Sequence, residues 1–145
     1  MKKTLAVIAL SAMAAACGGA STTSSVTTPS GTVITETFNG VLNPPVNGVL
    51  QTNVYPFTVT VGGGNINITL LSAGPPPTIQ LGLGLGNPSS TGACSLIPGF
   101  SLQTAASTTA QIPATGAPAG AYCVAVIDVG NVLQPVSFTV TVAHQ

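Results

Sequence analysis

A strict two-residue alternation of apolar side chains constrains this chain more than any other feature. Between Thr78 and Gly86, Ile79, Leu81, Leu83 and Leu85 alternate with Gln80, Gly82, Gly84 and Gly86. Successive side chains of an extended strand point to opposite faces, so this run gathers its large groups on one side only as β-structure. The same period recurs in four other runs. Thr32 to Phe38 places Ile34, Glu36 and Phe38 together; Val54 to Val61 places Tyr55, Phe57, Val59 and Val61 together. Asn65 to Leu71 turns Ile66, Ile68 and Leu70 inward, and Val136 to Val142 does so with Val136, Phe138, Val140 and Val142. Ala121 to Val129 is apolar on both faces and reads as a central strand. Beyond the N-terminal segment no 3.6-residue apolar period occurs, and twelve prolines, placed mainly between the runs, argue against long helices.

The turns agree with an all-β reading. Gly, Pro, Asn and Ser clusters separate the runs, as in a sandwich or barrel. Gly62-Gly63-Gly64 ends the Val54 run, and the following Asn65 run is expected to form a hairpin with it. The glycine face of the Thr78–Gly86 strand predicts close approach of another backbone, a bend or a bulge. About 115 residues, Gly31 to Gln145, suffice for one core. The expected fold is therefore a single antiparallel β-sandwich of jelly-roll or immunoglobulin-like type over residues 32–145.

Charge is nearly absent. The 145 residues contain two Lys, no Arg, two acidic residues and one His, and both lysines stand at positions 2 and 3. They precede an apolar stretch from Thr4 to about Met13 and the small residues Ala14-Ala15-Ala16, the three zones of a secretory signal. This segment is too short for a spanning helix, which needs about 20 apolar residues. Removal of residues 1–16 leaves a chain of formal charge −2 with no Lys or Arg. Nucleic acid is excluded as a partner, because nothing remains to neutralise phosphates.

Ala14-Ala15-Ala16-Cys17 resembles the lipobox of bacterial lipoproteins, in which cleavage leaves the Cys as a lipidated N-terminus. Ala14 stands where Leu is common, so cleavage by an ordinary signal peptidase and release as a soluble protein is the alternative. Cysteine parity supports lipidation: with Cys17 acylated, Cys94 and Cys123 are left to pair. A disulfide closing that loop would stabilise the fold by about 3.5 kcal/mol in the chain-entropy model. No Cys-x-x-Cys spacing or basic neighbour suggests redox chemistry. The resemblance implies a membrane partner through the lipid anchor. Gly18 follows the Cys in place of the Asp that marks inner-membrane retention in enteric bacteria, so it also implies an outer-membrane or cell-surface address. Residues 17–31, rich in Gly, Ser and Thr, read as a flexible tether.

Further motifs resemble the bacterial pre-peptidase C-terminal domain. They are Glu36-Thr-Phe-Asn-Gly-Val-Leu42, Tyr55-Pro-Phe-Thr-Val59, Asn67-Ile-Thr-Leu70, Ala119-Gly-Ala-Tyr-Cys-Val-Ala-Val126 and Phe138-Thr-Val-Thr-Val142, in that order. The resemblance implies a jelly-roll-like sandwich that serves secreted enzymes as a binding or targeting module. No enzyme domain is expected within these 145 residues. The chain has Gln51, Thr52 and Asn53 where some members supply calcium-binding acids.

No catalytic constellation emerges. Asp128, His144 and a serine can be combined only on paper: no Gly-x-Ser-x-Gly elbow exists, and the penultimate His144 is expected to be exposed on a fraying terminus. Glu36 and Asp128, the only possible carboxylate pair, read more simply as a solubilising strand residue and as a turn residue in Asp128-Val-Gly-Asn131. One His and two separated acids suit neither zinc nor calcium, and Gly82-Leu-Gly-Leu-Gly86 lacks the helix and Lys of a nucleotide loop. No enzyme activity and no cofactor are expected. In the 129 residues after the signal, 44 are Thr, Ser, Asn or Gln, so neutral groups solvate the surface and suit a polysaccharide or another neutral polymer. The expected function is a non-enzymatic envelope binding or adhesion module for glycan, peptidoglycan or protein. The alternative is an envelope structural subunit that assembles with itself or an envelope protein through strand edges lacking Lys, with Pro56 and Pro135 as edge breakers; a hydrolase using Asp128 or Glu36 is the last alternative.

Overall fold

The computed structural model describes residues 31–145. Cys17, with the signal segment and all of the tether but Gly31, lies outside the described residues. The described residues form eight strands and no helix: β1 (Ile34–Leu42), β2 (Thr52–Val59), β3 (Gly64–Gly74), β4 (Leu81–Pro88), β5 (Cys94–Thr104), β6 (Ile112–Ala117), β7 (Gly120–Ile127) and β8 (Val136–His144). They make two antiparallel four-stranded sheets, ordered β1-β8-β3-β6 and β2-β7-β4-β5. First and last strands pair, as do second and seventh, third and sixth, fourth and fifth. That is the double Greek key of a jelly roll, and it selects that member of the expected sandwich class.

The alternation does what it predicts. Ile66, Ile68 and Leu70 of β3 and Val136, Phe138, Val140 and Val142 of β8 are buried against Leu81, Leu83 and Leu85 of β4 and Tyr122, Val124 and Val126 of β7. β7, apolar on both faces, is central as expected. The hairpin expected between the Val54 and Asn65 runs does not form: β2 pairs with β7 and β3 with β6 and β8, so Gly62-Gly63 carries the chain from one sheet to the other. Both runs have an apolar face, and placing them in opposite sheets lets both faces meet the same core. The strand expected at Thr78 begins only at Leu81, because Ile79 is held in a turn by the hydrogen bond its amide donates to the Pro76 carbonyl.

Glycines 82, 84 and 86 on the outer face of β4 are all buried. A Cβ at Gly84 would press on Leu96, and one at Gly86 would collide with the Ser95 carbonyl and Cys94 Sγ. The ladder between β4 and β5 also shifts between Gly84 and Gly86, where Ile97 to Phe100 bulge out and lean on the core. Close approach and bulge therefore coincide. The Cys94–Cys123 disulfide passes over Gly86 and ties β5 to β7 across the strand between them.

Every sheet edge is blunted without a basic residue. Edge strand β2 contains Pro56, β6 is short and contains Pro113, and β5 carries its bulge. Pro135 is not an edge breaker, since it precedes β8, which lies inside its sheet. At β1 the outer edge is occupied by side chains of the opposite sheet. Gln51 Oε1 accepts from the Asn43 amide (2.9 Å), Asn53 Nδ2 donates to the Val41 carbonyl (3.1 Å), and the Tyr55 hydroxyl donates to the Asn39 carbonyl (3.1 Å). Three alternating residues thus close one corner of the sandwich. Gly40 leaves room for this, because a Cβ there would meet the Tyr55 hydroxyl and the Phe138 ring.

Candidate functional site

The outer face of the β1-β8-β3-β6 sheet is built from the polar half of each alternation. The ladder registers align Thr37, Thr141 and Thr69 in one row across β1, β8 and β3, and Asn39, Thr139 and Ser72 in the next. Neighbouring strands lie about 4.8 Å apart, so each row sets hydroxyl and amide groups at that spacing. Thr139 donates from its hydroxyl to the Asn39 side-chain carbonyl at 2.8 Å, which orients two members of the second row. The register shift of β3 between Leu70 and Ser72 brings Ser72 into that row. Gln111 stabilises the shift by accepting from the Leu70 amide (2.8 Å) and donating to the Ala105 carbonyl (3.2 Å). A groove of about 410 Å³ runs along this end of the face, lined by Asn39, Val41, Ser72, Ser137 and Thr139. None of these residues is ionisable.

The acidic and imidazole side chains are placed elsewhere, with Asp128 apart from the other two. Glu36 and His144 sit on the core-facing sides of β1 and β8 at the end where residue 31 enters, with His144 Nε2 2.8 Å from Glu36 Oε1. His144 is 2% exposed and packs on the Phe57 ring, with centroids 5.2 Å apart. Its expected exposure on a fraying terminus is therefore corrected. β8 runs in register with β1 to its last residues, and the Gln145 carbonyl accepts from the Thr60 amide, so the terminus is bound on both sides. Glu36 likewise points toward the core rather than only serving solubility. The Nδ1 atom of His144 is buried without a partner.

Asp128 occupies the opposite end. It is fully buried, and its Oδ1 accepts from the amides of Gly130 (2.8 Å), Asn131 (3.3 Å) and Val132 (3.4 Å), which makes it the turn residue its sequence context indicates. Its Oδ2 has no partner. The sandwich separates Asp128 from both Glu36 and His144, so neither the carboxylate pair nor the Asp-His-Ser combination is assembled. Among the described residues no three His, Cys, Asp or Glu side chains converge. The Gly82–Gly86 segment is the interior of β4 rather than a phosphate-binding turn.

Composition pointed to a neutral surface, but the row structure was missed. It depends on how three strands distant in sequence align, and the bulge that admits Ser72 has no local signature. The corner formed by Gln51, Asn53 and Tyr55 was missed for the same reason. Compared with protein-family models and with curated proteins, the chain matches none.

Proposed function

We propose that this protein is a non-enzymatic cell-envelope lipoprotein, anchored through Cys17, whose sandwich binds a neutral glycan on the Thr/Asn face of the β1-β8-β3-β6 sheet. The carrying observation is the pair of in-register rows, Thr37-Thr141-Thr69 and Asn39-Thr139-Ser72, beside a groove without any ionisable group. Sugar hydroxyls donate and accept at once, as do Thr and Ser hydroxyls and Asn amides, so such a face exchanges hydrogen bonds with a hydrated polysaccharide. A charged polymer brought to the same face would lose hydration without an opposite charge in return. Sparse exposed aromatic surface indicates weak single-site binding that gains strength from many anchored copies. The signal-like N-terminus and the Ala14-Ala15-Ala16-Cys17 motif support an outer-membrane or cell-surface address. The jelly-roll order fits the pre-peptidase C-terminal resemblance, but many functions share that fold, so the site carries the reading.

Retention on insoluble neutral glycans tests it. The whole protein is expected to sediment with at least one uncharged polysaccharide, and the double substitution Asn39→Ala with Thr139→Ala is expected to reduce retention several-fold. Retention on none, or equal retention of the substituted protein, overturns the glycan face.

A further inference from the structure

We infer that the end of the sandwich opposite residue 31 docks on the surface of a neutral lipid bilayer through the tips of its β1–β2 and β7–β8 loops. The inference concerns a different surface from the glycan face and stands independently of it. Four connections between the sheets lie at this end: residues 43–51, 75–80, 105–111 and 128–135. They hold the most exposed large apolar side chains described. Leu133 is 89% exposed, Val49 68% and Val46 65%, with Leu50 beside them. Single exposed apolar residues are ordinary, but several projecting from adjacent loops at one end form a patch with a direction.

The chemistry of these loops favours an apolar medium over a folded partner. Asp128 is their only ionisable side chain, and it is buried with three loop amides on its carboxylate, so no exposed charge opposes insertion. Six of the chain's twelve prolines lie here, at 44, 45, 75, 76, 77 and 135, and contribute no amide donor to desolvate. Of the remaining donors, the Asn43 amide is bound by Gln51, Val49 by the Val46 carbonyl, Ile79 by the Pro76 carbonyl and Asp128 by the Gln51 carbonyl. The tip between Val46 and Val49 turns at Asn47 and Gly48, both at positive φ (54° and 76°), so it closes tightly and presents both valines outward. Lys and Arg are absent after position 3, so anionic headgroups offer this end no attraction and the surface it suits is zwitterionic.

The chain has no Trp, which makes single reporters unambiguous. In the full chain carrying Cys17→Ser, Val49→Trp and Leu133→Trp are expected to shift their emission to shorter wavelength on addition of phosphatidylcholine vesicles. They should also be quenched by brominated acyl chains. Ser90→Trp, at the other end of the sandwich, is expected to do neither, whatever residues 1–16 contribute to vesicle binding. Adding Leu133→Ser to the Val49→Trp protein should lower the vesicle partition coefficient read from that shift about tenfold, the effect of withdrawing one apolar side chain from burial. Absence of a shift at both tips, or an equal shift at Ser90→Trp, overturns the inference. A shift that follows protein concentration without lipid also overturns it, in favour of a second copy as the occupant.

Discussion

The two sheets share one core but finish their outer faces in opposite ways. On the β2-β7-β4-β5 sheet, the outer positions of β4 are glycines covered by Leu96, Ile127 and the Cys94–Cys123 disulfide. On the β1-β8-β3-β6 sheet, most outer positions of β1 and β8 are Thr, Asn and Ser left in contact with water. One face has been closed by covalent and apolar cover, and the other kept open with neutral hydrogen-bonding groups. In a domain almost without charge these are the two available ways to finish a sheet. The comparison places stability at the closed face and, on the function proposed above, recognition at the open one.

Breaking the disulfide should have the largest effect. Cys94→Ala with Cys123→Ala is expected to cost about 3.5 kcal/mol, read as a lower urea midpoint, while retention on a neutral glycan in the absence of denaturant persists. An unchanged midpoint would remove the closed face from the account of stability. Gly86→Ala comes next, because the added methyl has only the Ser95 carbonyl and Cys94 Sγ to displace; a loss of about 3 kcal/mol is expected by chemical denaturation. His144→Ala is expected to cost about 2 kcal/mol by the same measurement, since it opens a cavity beside Phe57 and leaves Glu36 without its partner. A frayed His would cost nothing. Tyr55→Phe removes only the hydroxyl bond to the Asn39 carbonyl and should cost about 1 kcal/mol, with the β1 amides exchanging faster with deuterium. Thr141→Ala, on the open face, should change stability by less than about 0.5 kcal/mol yet weaken glycan retention. Equal effects on both would erase the division between the faces.

Much of this architecture was legible from local pattern. The alternations at Ile66-Ile68-Leu70 and Val136-Phe138-Val140-Val142 identify core faces because period two has only one geometric meaning. The doubly apolar Tyr122–Ile127 run identifies a central strand for the same reason. β5 and β6 were not expected, since Cys94–Thr104 loses its alternation at the bulge and Ile112–Ala117 is short and interrupted by Pro113 and Gly116. The burial of His144 escaped notice because nothing local distinguishes a loose C-terminus from one paired along β1. Its partner, Glu36, lies 108 positions away.

The amino-acid sequence by itself determined the β class, the apolar faces and the neutral solvation of the surface. Those follow from side-chain period and composition, which are properties of short stretches or of the whole count. The tertiary structure decided which strands became neighbours. It sent β2 and β3 to different sheets, aligned Thr37, Thr141 and Thr69 in one row, set Gly86 beneath the disulfide and gathered the apolar loop tips at the end away from residue 31. Each of these depends on a pairing between distant segments, and the free energy that selects a pairing comes from the packed core as a whole rather than from any run taken alone.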